Sequence, residues 1–195
     1  MHPSTHLLLG WLTAEAGGLD TRRDRALVAV AGIIPDVDGV GMIAEVATRG
    51  TDHPLLWWSN YHHLLAHNAL FGIAYTAASL AIATKRWRTS LLVLLSFHLH
   101  LLGDIVGARG PDGDQWPIPY LWPFSDTWQL AWKGQWALNA WPNMLLTAIA
   151  LGAMFYLAWD RGRSPLELVS RRLDAGLVGT LRRRFPRRCP VAKDE

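Results

Sequence analysis

The histidines and aspartates of this chain are arranged in a way that suits metal binding. All eight histidines lie within the first 100 residues, and seven of them fall into three groups. The groups are His2 and His6, then His62, His63 and His67, and then His98 and His100. Imidazole and carboxylate ligands without sulfur suit zinc, or iron and manganese at positions richer in oxygen. The single cysteine, Cys189, excludes a thiolate zinc site, so any metal must use histidine and carboxylate side chains.

Three candidate pairs have the spacing of neighbours on one helix face. Residues four apart in sequence lie about one turn apart on the same face, so each pair can direct two donors at one point. The pairs are His2/His6, His63/His67 and His100/Asp104. His98 lies about 200° around a helix from His100 and is expected to face elsewhere.

Asp36 and Asp38 stand where an apolar segment is broken. Pro35 interrupts the helical pattern before them and Gly39 frees the backbone after them, so both carboxylates can meet a cation without helical constraint. A carboxylate inside a membrane segment is costly and is by default a functional candidate. We therefore predict a His/Asp metal centre in which Asp36 or Asp38 serves as a catalytic general base.

The elements that must position these residues are predicted to be membrane-spanning helices. Residues 53–84, 90–103 and 134–159 contain no Asp, Glu, Lys or Arg. Since roughly 20 apolar residues cross a bilayer, we predict an all-α, multi-pass helical membrane bundle with about four hydrophobic spans. The spans lie near Ala26–Val46 (broken), Ala66–Thr84, Ser90–Val106 and Asn143–Trp159. A mean hydropathy of only +0.10 indicates a partly water-facing protein, and a soluble all-helical protein is the alternative.

The distribution of positive charge predicts the orientation of these spans. Sixteen of the 19 lysines and arginines fall on one side, and only Arg49, Arg109 and Lys133 fall on the other. That asymmetry indicates a cytoplasmic C-terminus. The candidate ligands then converge on the outer half of the membrane, so the site is expected to open toward the extracytoplasmic side.

Most of the positive charge belongs to the C-terminal tail. From Asp160 onward there are ten Lys or Arg against five Asp or Glu, a net of +5 within an overall +3, which leaves −2 for residues 1–159. We therefore predict a membrane-embedded domain (residues 1–160) and a basic cytoplasmic tail (residues 161–195). Ser164, Pro165 and Glu167 have the pattern of a helix N-terminus, which predicts an amphipathic basic helix on the membrane surface. Membrane lipid is the expected partner, and nucleic-acid binding is not predicted.

Five short motifs follow one another between Met1 and about Trp159. They are Thr5-His6, Ile34-Pro35-Asp36-Val37-Asp38, His62-His63-Leu64-Leu65-Ala66-His67-Asn68, His100-Leu101-Leu102-Gly103-Asp104 and Leu121-Trp122-Pro123-Phe124-Ser125. In this order they resemble the YdjM-type family of inner-membrane, metal-dependent hydrolases. With the spacing above, the resemblance implies one to three divalent ions, with zinc favoured. The implied metal ligands are His6, Asp36, Asp38, His62, His67, His100 and Asp104.

One motif departs from the family pattern. The family's third motif is similar to His-Arg-Gly-x-Thr-His-Ser, so His62 and His67 align with its histidines while His63 replaces its arginine. The resemblance favours His62 as a ligand, whereas helical spacing favours His63. The segment Gly107–Gln115 is also longer than the family's equivalent, which is expected to alter access to the site.

More distantly, the arrangement is similar to the zinc-dependent phospholipase C and P1 nuclease superfamily, whose members are all-helical and have a His-x-x-x-Asp ligand pair. The two resemblances imply hydrolysis of a phosphoester or a lipid-associated substrate, such as a phospholipid or a phosphodiester. Bound zinc supplies hydroxide at neutral pH, because it lowers the pKa of a coordinated water to about 7.

A metal-ion or proton transporter is the main alternative, because histidine and aspartate in membrane spans also form ion pathways. Such a pathway should continue through both halves of the membrane, whereas the inner halves of these spans are aliphatic. A bis-histidine haem protein is a third hypothesis, but haem ligation does not use the three aspartates.

Overall fold

A computed structural model of the protein describes residues 1–110 and 113–187, so the last eight residues of the predicted tail, which include Cys189, lie outside it. The described residues contain eight α-helices, two 3-10 helices and no β-strand, which confirms the all-α class. The α-helices are α1 (Pro3–Ala16), α2 (Arg22–Ala31), α3 (Gly41–Thr48), α4 (Trp57–Tyr61), α5 (Ala69–Ile82), α6 (Arg86–Gly107), α7 (Trp141–Arg161) and α8 (Arg171–Arg184). The 3-10 helices are Ile34–Val40 and Pro165–Leu168.

The chain divides into two compact units, Met1–Ala150 and Leu151–Glu195. In the first unit, α1, α2 and α6 pack on one another and α5 packs on α6. The buried residues of this core include Ala14, Leu19, Val28, Ala31 and Val93. A Cβ on Gly10 would lie only 2.8 Å from the carbonyl oxygen of Ala29, so glycine allows the close approach of α1 and α2. That approach fixes α1, and with it His6, against the rest of the bundle.

Two helices are long and apolar enough to cross a membrane, namely α6 with 22 residues and α7 with 21. A third candidate is the pair formed by α2 and the segment Ile34–Thr48, which bends by 56°. The break lies where Pro35 predicted it. The helix α5 has only 14 residues, about 21 Å of helix against the roughly 30 Å of a bilayer core. The described residues therefore contain two or three candidate spans, and the predicted span near Ala66–Thr84 is short because α5 begins only after its Asn68 cap.

The C-terminal segment folds differently from the single helix predicted to begin at Ser164. The Ser164 side chain does accept a hydrogen bond from the backbone N–H of Leu166, but it caps only the short 3-10 helix, and α8 begins anew at Arg171. Asp174 explains the break. Its carboxylate accepts hydrogen bonds from the backbone N–H and the hydroxyl of Ser164, at 2.6 and 2.7 Å, which requires the chain to turn between these residues.

Candidate metal centre

Four side chains from three separate stretches of the chain meet at one point. Asp36, His67, His100 and Asp104 each offer one ligand atom, and these atoms all lie within 4.8 Å of one another. We call these four residues the centre. The side chains of His67, His100 and Asp104 are at most 3% exposed, whereas that of Asp36 is 20% exposed. Asp36 is therefore the member of the centre that a substrate or water reaches most easily.

The two histidines of the centre direct their Nε2 atoms at each other. The Nδ1–H of His100 donates to the carbonyl of Gly32 at 2.9 Å, and the Nδ1–H of His67 donates to Asp38 Oδ2 at 3.0 Å. Because a carbonyl and a carboxylate can only accept, the neutral form of each ring has its lone pair on Nε2. The two Nε2 atoms lie 3.1 Å apart. Two lone pairs at that distance repel each other unless a proton or a metal ion lies between them.

The two carboxylates complete a coordination set. Asp104 Oδ2 lies 3.0 Å from His100 Nε2 and 3.6 Å from His67 Nε2. Asp36 Oδ1 lies 3.6 Å from His100 Nε2 and 3.9 Å from His67 Nε2. Ligands about 2.0–2.2 Å from a tetrahedral zinc ion lie roughly 3.3–3.6 Å from one another, so these separations fit a metal ion with little movement. Two imidazoles and two carboxylates suit zinc, iron or manganese.

Each part of the centre is positioned by a different local structure. His100 and Asp104 lie one turn apart on α6, which confirms the contact predicted from their spacing. Asp36 lies in the 3-10 helix that follows α2 and has Pro35 in its first turn. His67 lies in the turns between α4 and α5. The core packing of the first unit brings these three stretches together.

Asp38 orients the histidines from outside the centre. Its carboxylate accepts hydrogen bonds from His62 Nδ1 at 2.8 Å, from His67 Nδ1 at 3.0 Å and from the backbone N–H of Ala66 at 3.2 Å. A carboxylate that holds the far nitrogen of a metal-binding histidine fixes the ring and raises its basicity as a ligand. The predicted ligands Asp38 and His62 are therefore linked to the centre through hydrogen bonds.

His6 contacts the centre through Asp104. Its Nε2 lies 3.0 Å from Asp104 Oδ1, an oxygen that also accepts from the amino group of Met1. The His6 ring stacks on the His100 ring with centroids 3.9 Å apart. Gly103 leaves room for it, because a Cβ there would lie 2.8 Å from His6 Cε1. Burial lowers the pKa of His6. All seven predicted ligands thus belong to one continuous network.

His62 and His63 both lie outside the centre. His63 and His67 do not share a helix face, because α4 ends at Tyr61 and His63 has a left-handed φ of +67°, but their rings are in contact with centroids 4.5 Å apart. The His62 ring stacks on Trp58 with centroids 3.7 Å apart. His63 is buried, its Nδ1 has no hydrogen-bond partner among the described residues, and burial holds its pKa well below the usual range.

Two further histidines, His2 and His98, do not belong to the centre. His2 is the N-cap of α1 with an extended backbone, so it does not share a helix face with His6. His98 faces away from the centre, as its spacing predicted. Its Nδ1 bonds the carbonyl of Leu94 at 2.8 Å and its Nε2 bonds the hydroxyl of Tyr120 at 2.8 Å.

A cavity of about 750 Å³ lies beside the centre. Asp36, Asp104, His62 and His63 contribute to its wall. Apolar and aromatic side chains line much of the rest, among them Met42, Trp58, Trp116 and Leu138. These residues come from distant segments of the chain, and no motif in the sequence indicated them.

The chain also matches a known protein family. Residues 1–171 match the model of a family described as YdjM inner membrane protein. The chain belongs to the YdjM inner membrane protein family. Neither the search of curated proteins nor the search of solved structures found a match. Membership in the YdjM family confirms the resemblance seen in the five motifs, and it agrees with the apolar helices α6 and α7 of a membrane protein.

Replacing Asp38 by asparagine is expected to weaken metal binding by about 10- to 100-fold. His62 and His67 donate to different oxygens of Asp38, so in asparagine one of the two rings faces the amide NH2, which can only donate, and the pair of hydrogen bonds that orients the His67 ring is disrupted. Competition with a chelating dye measures the affinity of the purified protein for zinc. Asp126→Asn alters an exposed carboxylate away from the cavity and is the matched control. Equal affinity of the Asp38 variant and the wild type would contradict the positioning role.

Proposed function

We propose that this protein is a membrane-bound, metal-dependent hydrolase that acts on a phosphoester or lipid-associated substrate. The observation that carries the proposal is the 3.1 Å approach of His67 Nε2 to His100 Nε2 beside two carboxylates. Such a group is costly to bury within apolar helices unless a cation is bound, and ionisable groups in membrane segments mark functional sites. Zinc is the proposed ion, with one to three ions per chain.

The chemistry assigns a separate task to each residue. A bound zinc ion lowers the pKa of a coordinated water and stabilises negative charge on the attacked oxygen. His67, His100 and Asp104 are proposed to hold the ion, and Asp38 is proposed to keep the His67 ring in place. Asp36 is the proposed general base. Its side chain is 20% exposed, its Oδ1 faces the two histidines, and its Oδ2 has no hydrogen-bond partner among the described residues, so the carboxylate retains an acceptor for a proton.

The test is hydrolysis by the purified protein of bis(p-nitrophenyl) phosphate and of a short-chain phospholipid, dihexanoyl phosphatidylglycerol. We expect turnover that a chelator abolishes and that added zinc restores. Failure of elemental analysis to detect any divalent metal would overturn the proposal. Zinc uptake into proteoliposomes without hydrolysis of either substrate would favour the transporter instead, because transport needs no water activation.

The proposal also includes an arrangement in the membrane. We propose that four segments cross the membrane, namely the bent pair, α5, α6 and α7. We also propose that the C-terminus is cytoplasmic and that the basic helix α8 lies on anionic lipid. The charge asymmetry of the sequence supports this orientation. A membrane-impermeant thiol reagent should therefore leave Cys189 unlabelled in spheroplasts and label it after lysis. Labelling in intact spheroplasts would reverse the orientation.

A further inference from the structure

The cavity beside the centre combines one cationic side chain with an apolar lining. Apart from the carboxylates and histidines already described, it is lined by Arg109. Its apolar lining includes Met42, Trp58, Ala108, Trp116 and Leu138. A volume of about 750 Å³ falls within the range of roughly 300–1,000 Å³ found for sites that hold organic ligands. The cavity is therefore large enough for an organic ligand.

Arg109 is held in place by hydrogen bonds to two backbone carbonyls. Its backbone N–H donates to the carbonyl of Trp136 at 3.1 Å, and its Nη2 donates to the carbonyl of Lys133 at 2.9 Å. Its Nε is buried without an acceptor, and no carboxylate within residues 1–110 and 113–187 pairs with its guanidinium. A guanidinium with unused donors binds phosphate through parallel, charge-assisted hydrogen bonds.

The charges around the cavity restrict the ligand that it can hold. The carboxylate of Asp36 repels an anion while the centre is empty, whereas that of Asp104 is paired with the amino group of Met1, which also lines the cavity. A divalent ion at the centre would remove the remaining repulsion. Arg109 attracts an anion in either state. An anionic group therefore binds best between Arg109 and a metal-loaded centre, and any hydrocarbon attached to it lies against the apolar lining.

We infer that the cavity binds an amphiphilic organophosphate, with its phosphate group on Arg109 and its hydrocarbon on the indole and aliphatic side chains. The inference rests on the proposed function for what happens to the bound ligand. Binding itself requires no turnover, because the guanidinium and the apolar lining are present whether or not the centre is catalytically active.

Calorimetric titration of the purified, zinc-loaded protein with hexylphosphonate tests this inference. The carbon–phosphorus bond of this probe is not hydrolysed, so occupancy is measured without turnover. We expect hexylphosphonate to bind at least about tenfold more tightly than methylphosphonate, inorganic phosphate or hexanol, because each comparison removes either the chain or the charge. If inorganic phosphate bound as tightly as hexylphosphonate, the cavity would be a site for free phosphate, and the inference of an amphiphilic ligand would be wrong.

Two substitutions separate the contributions of charge and chain. Arg109→Gln should weaken hexylphosphonate binding about tenfold, Arg109→Lys should weaken it less, and the matched control Arg49→Gln, at the exposed end of α3, should leave it unchanged. Leu138→Ser should weaken hexylphosphonate but not methylphosphonate. If Arg109→Gln bound hexylphosphonate as tightly as the wild type, Arg109 would not be the residue that holds the phosphonate group. Thermal unfolding of each variant shows whether it is folded.

The outcome is independent of the fate of the proposed function. Arg109-dependent binding of hexylphosphonate by a protein that hydrolyses neither test substrate would support the inference and remove the hydrolase. Zinc-dependent hydrolysis, together with hexylphosphonate binding that is unchanged by substitution of Arg109 or Leu138, would support the hydrolase and contradict the inference about the cavity.

Discussion

Replacing His100 by alanine is expected to lower the affinity for divalent metal by at least about 100-fold. Its Nδ1 is already used by the carbonyl of Gly32, so Nε2 is the only nitrogen that it can offer to an ion. Loss of an outer hydrogen-bond partner costs about 10- to 100-fold in metal affinity, and loss of a direct ligand costs more. Elemental analysis after dialysis and a competition titration with a zinc-binding dye measure the change.

The matched control is His98→Ala. His98 is the same residue type on the same helix, two positions away, and its ring bonds Leu94 and Tyr120 outside the centre. This variant is expected to retain the metal content of the wild type. Equal retention by both variants would remove His100 from the centre. Equal loss by both would mean that the integrity of α6, and not the His100 nitrogen, determines metal retention, which would also contradict the assignment.

The contact between His100 and Asp104 could be predicted because it is local. The two residues are four positions apart, so they lie on the same face of a helix. The helix itself is predicted by an uninterrupted apolar segment. The break before Asp36 was equally predictable, since Pro35 cannot continue a regular helix. These parts of the centre depend on neighbours in sequence, and sequence reasoning placed them correctly.

The role of Asp38 depends on contacts that no local pattern contains. Asp38 meets His62 and His67 only because the turns between α4 and α5 pack on the 3-10 helix, and the helical spacing of His63 and His67 suggested a different geometry. The Gly32 carbonyl that orients His100 carries no side-chain signal at all. Such partners are set by tertiary packing, so the sequence could indicate a His/Asp cluster but not the task of each member.

The length of α5 shows the same division. By composition alone the apolar segment begins at Ala66. In the structure, the side chain of Asn68 accepts a hydrogen bond from the backbone N–H of Phe71 at 2.9 Å, so Asn68 caps the helix and α5 begins after it. The residues before it are used to place His67 at the centre. The chain therefore shortens a membrane-length segment in order to build the site.

Replacing Asp36 by asparagine is expected to lower kcat by about 10²- to 10⁴-fold at saturating zinc, because a general base contributes about that much. Asparagine keeps one oxygen that can face His67 and His100, but its amide group cannot accept a proton from water. The expected loss therefore persists when zinc is added in excess. Hydrolysis of bis(p-nitrophenyl) phosphate over a range of zinc concentrations gives kcat and the zinc dependence in one experiment.

Asp38→Asn is the comparison that gives this result its meaning. Asp38 is committed to three hydrogen bonds, so its substitution should weaken zinc binding and leave kcat close to the wild-type value once zinc is saturating. Asp36, by contrast, is the most exposed member of the centre and has an oxygen without a partner in the described part of the chain. If excess zinc restored both variants equally, Asp36 would be a metal ligand alone and the proton would have to go to another group. If it restored only Asp38→Asn, the two neighbouring carboxylates would have the separate tasks that their contacts indicate, one accepting a proton and the other orienting a ligand.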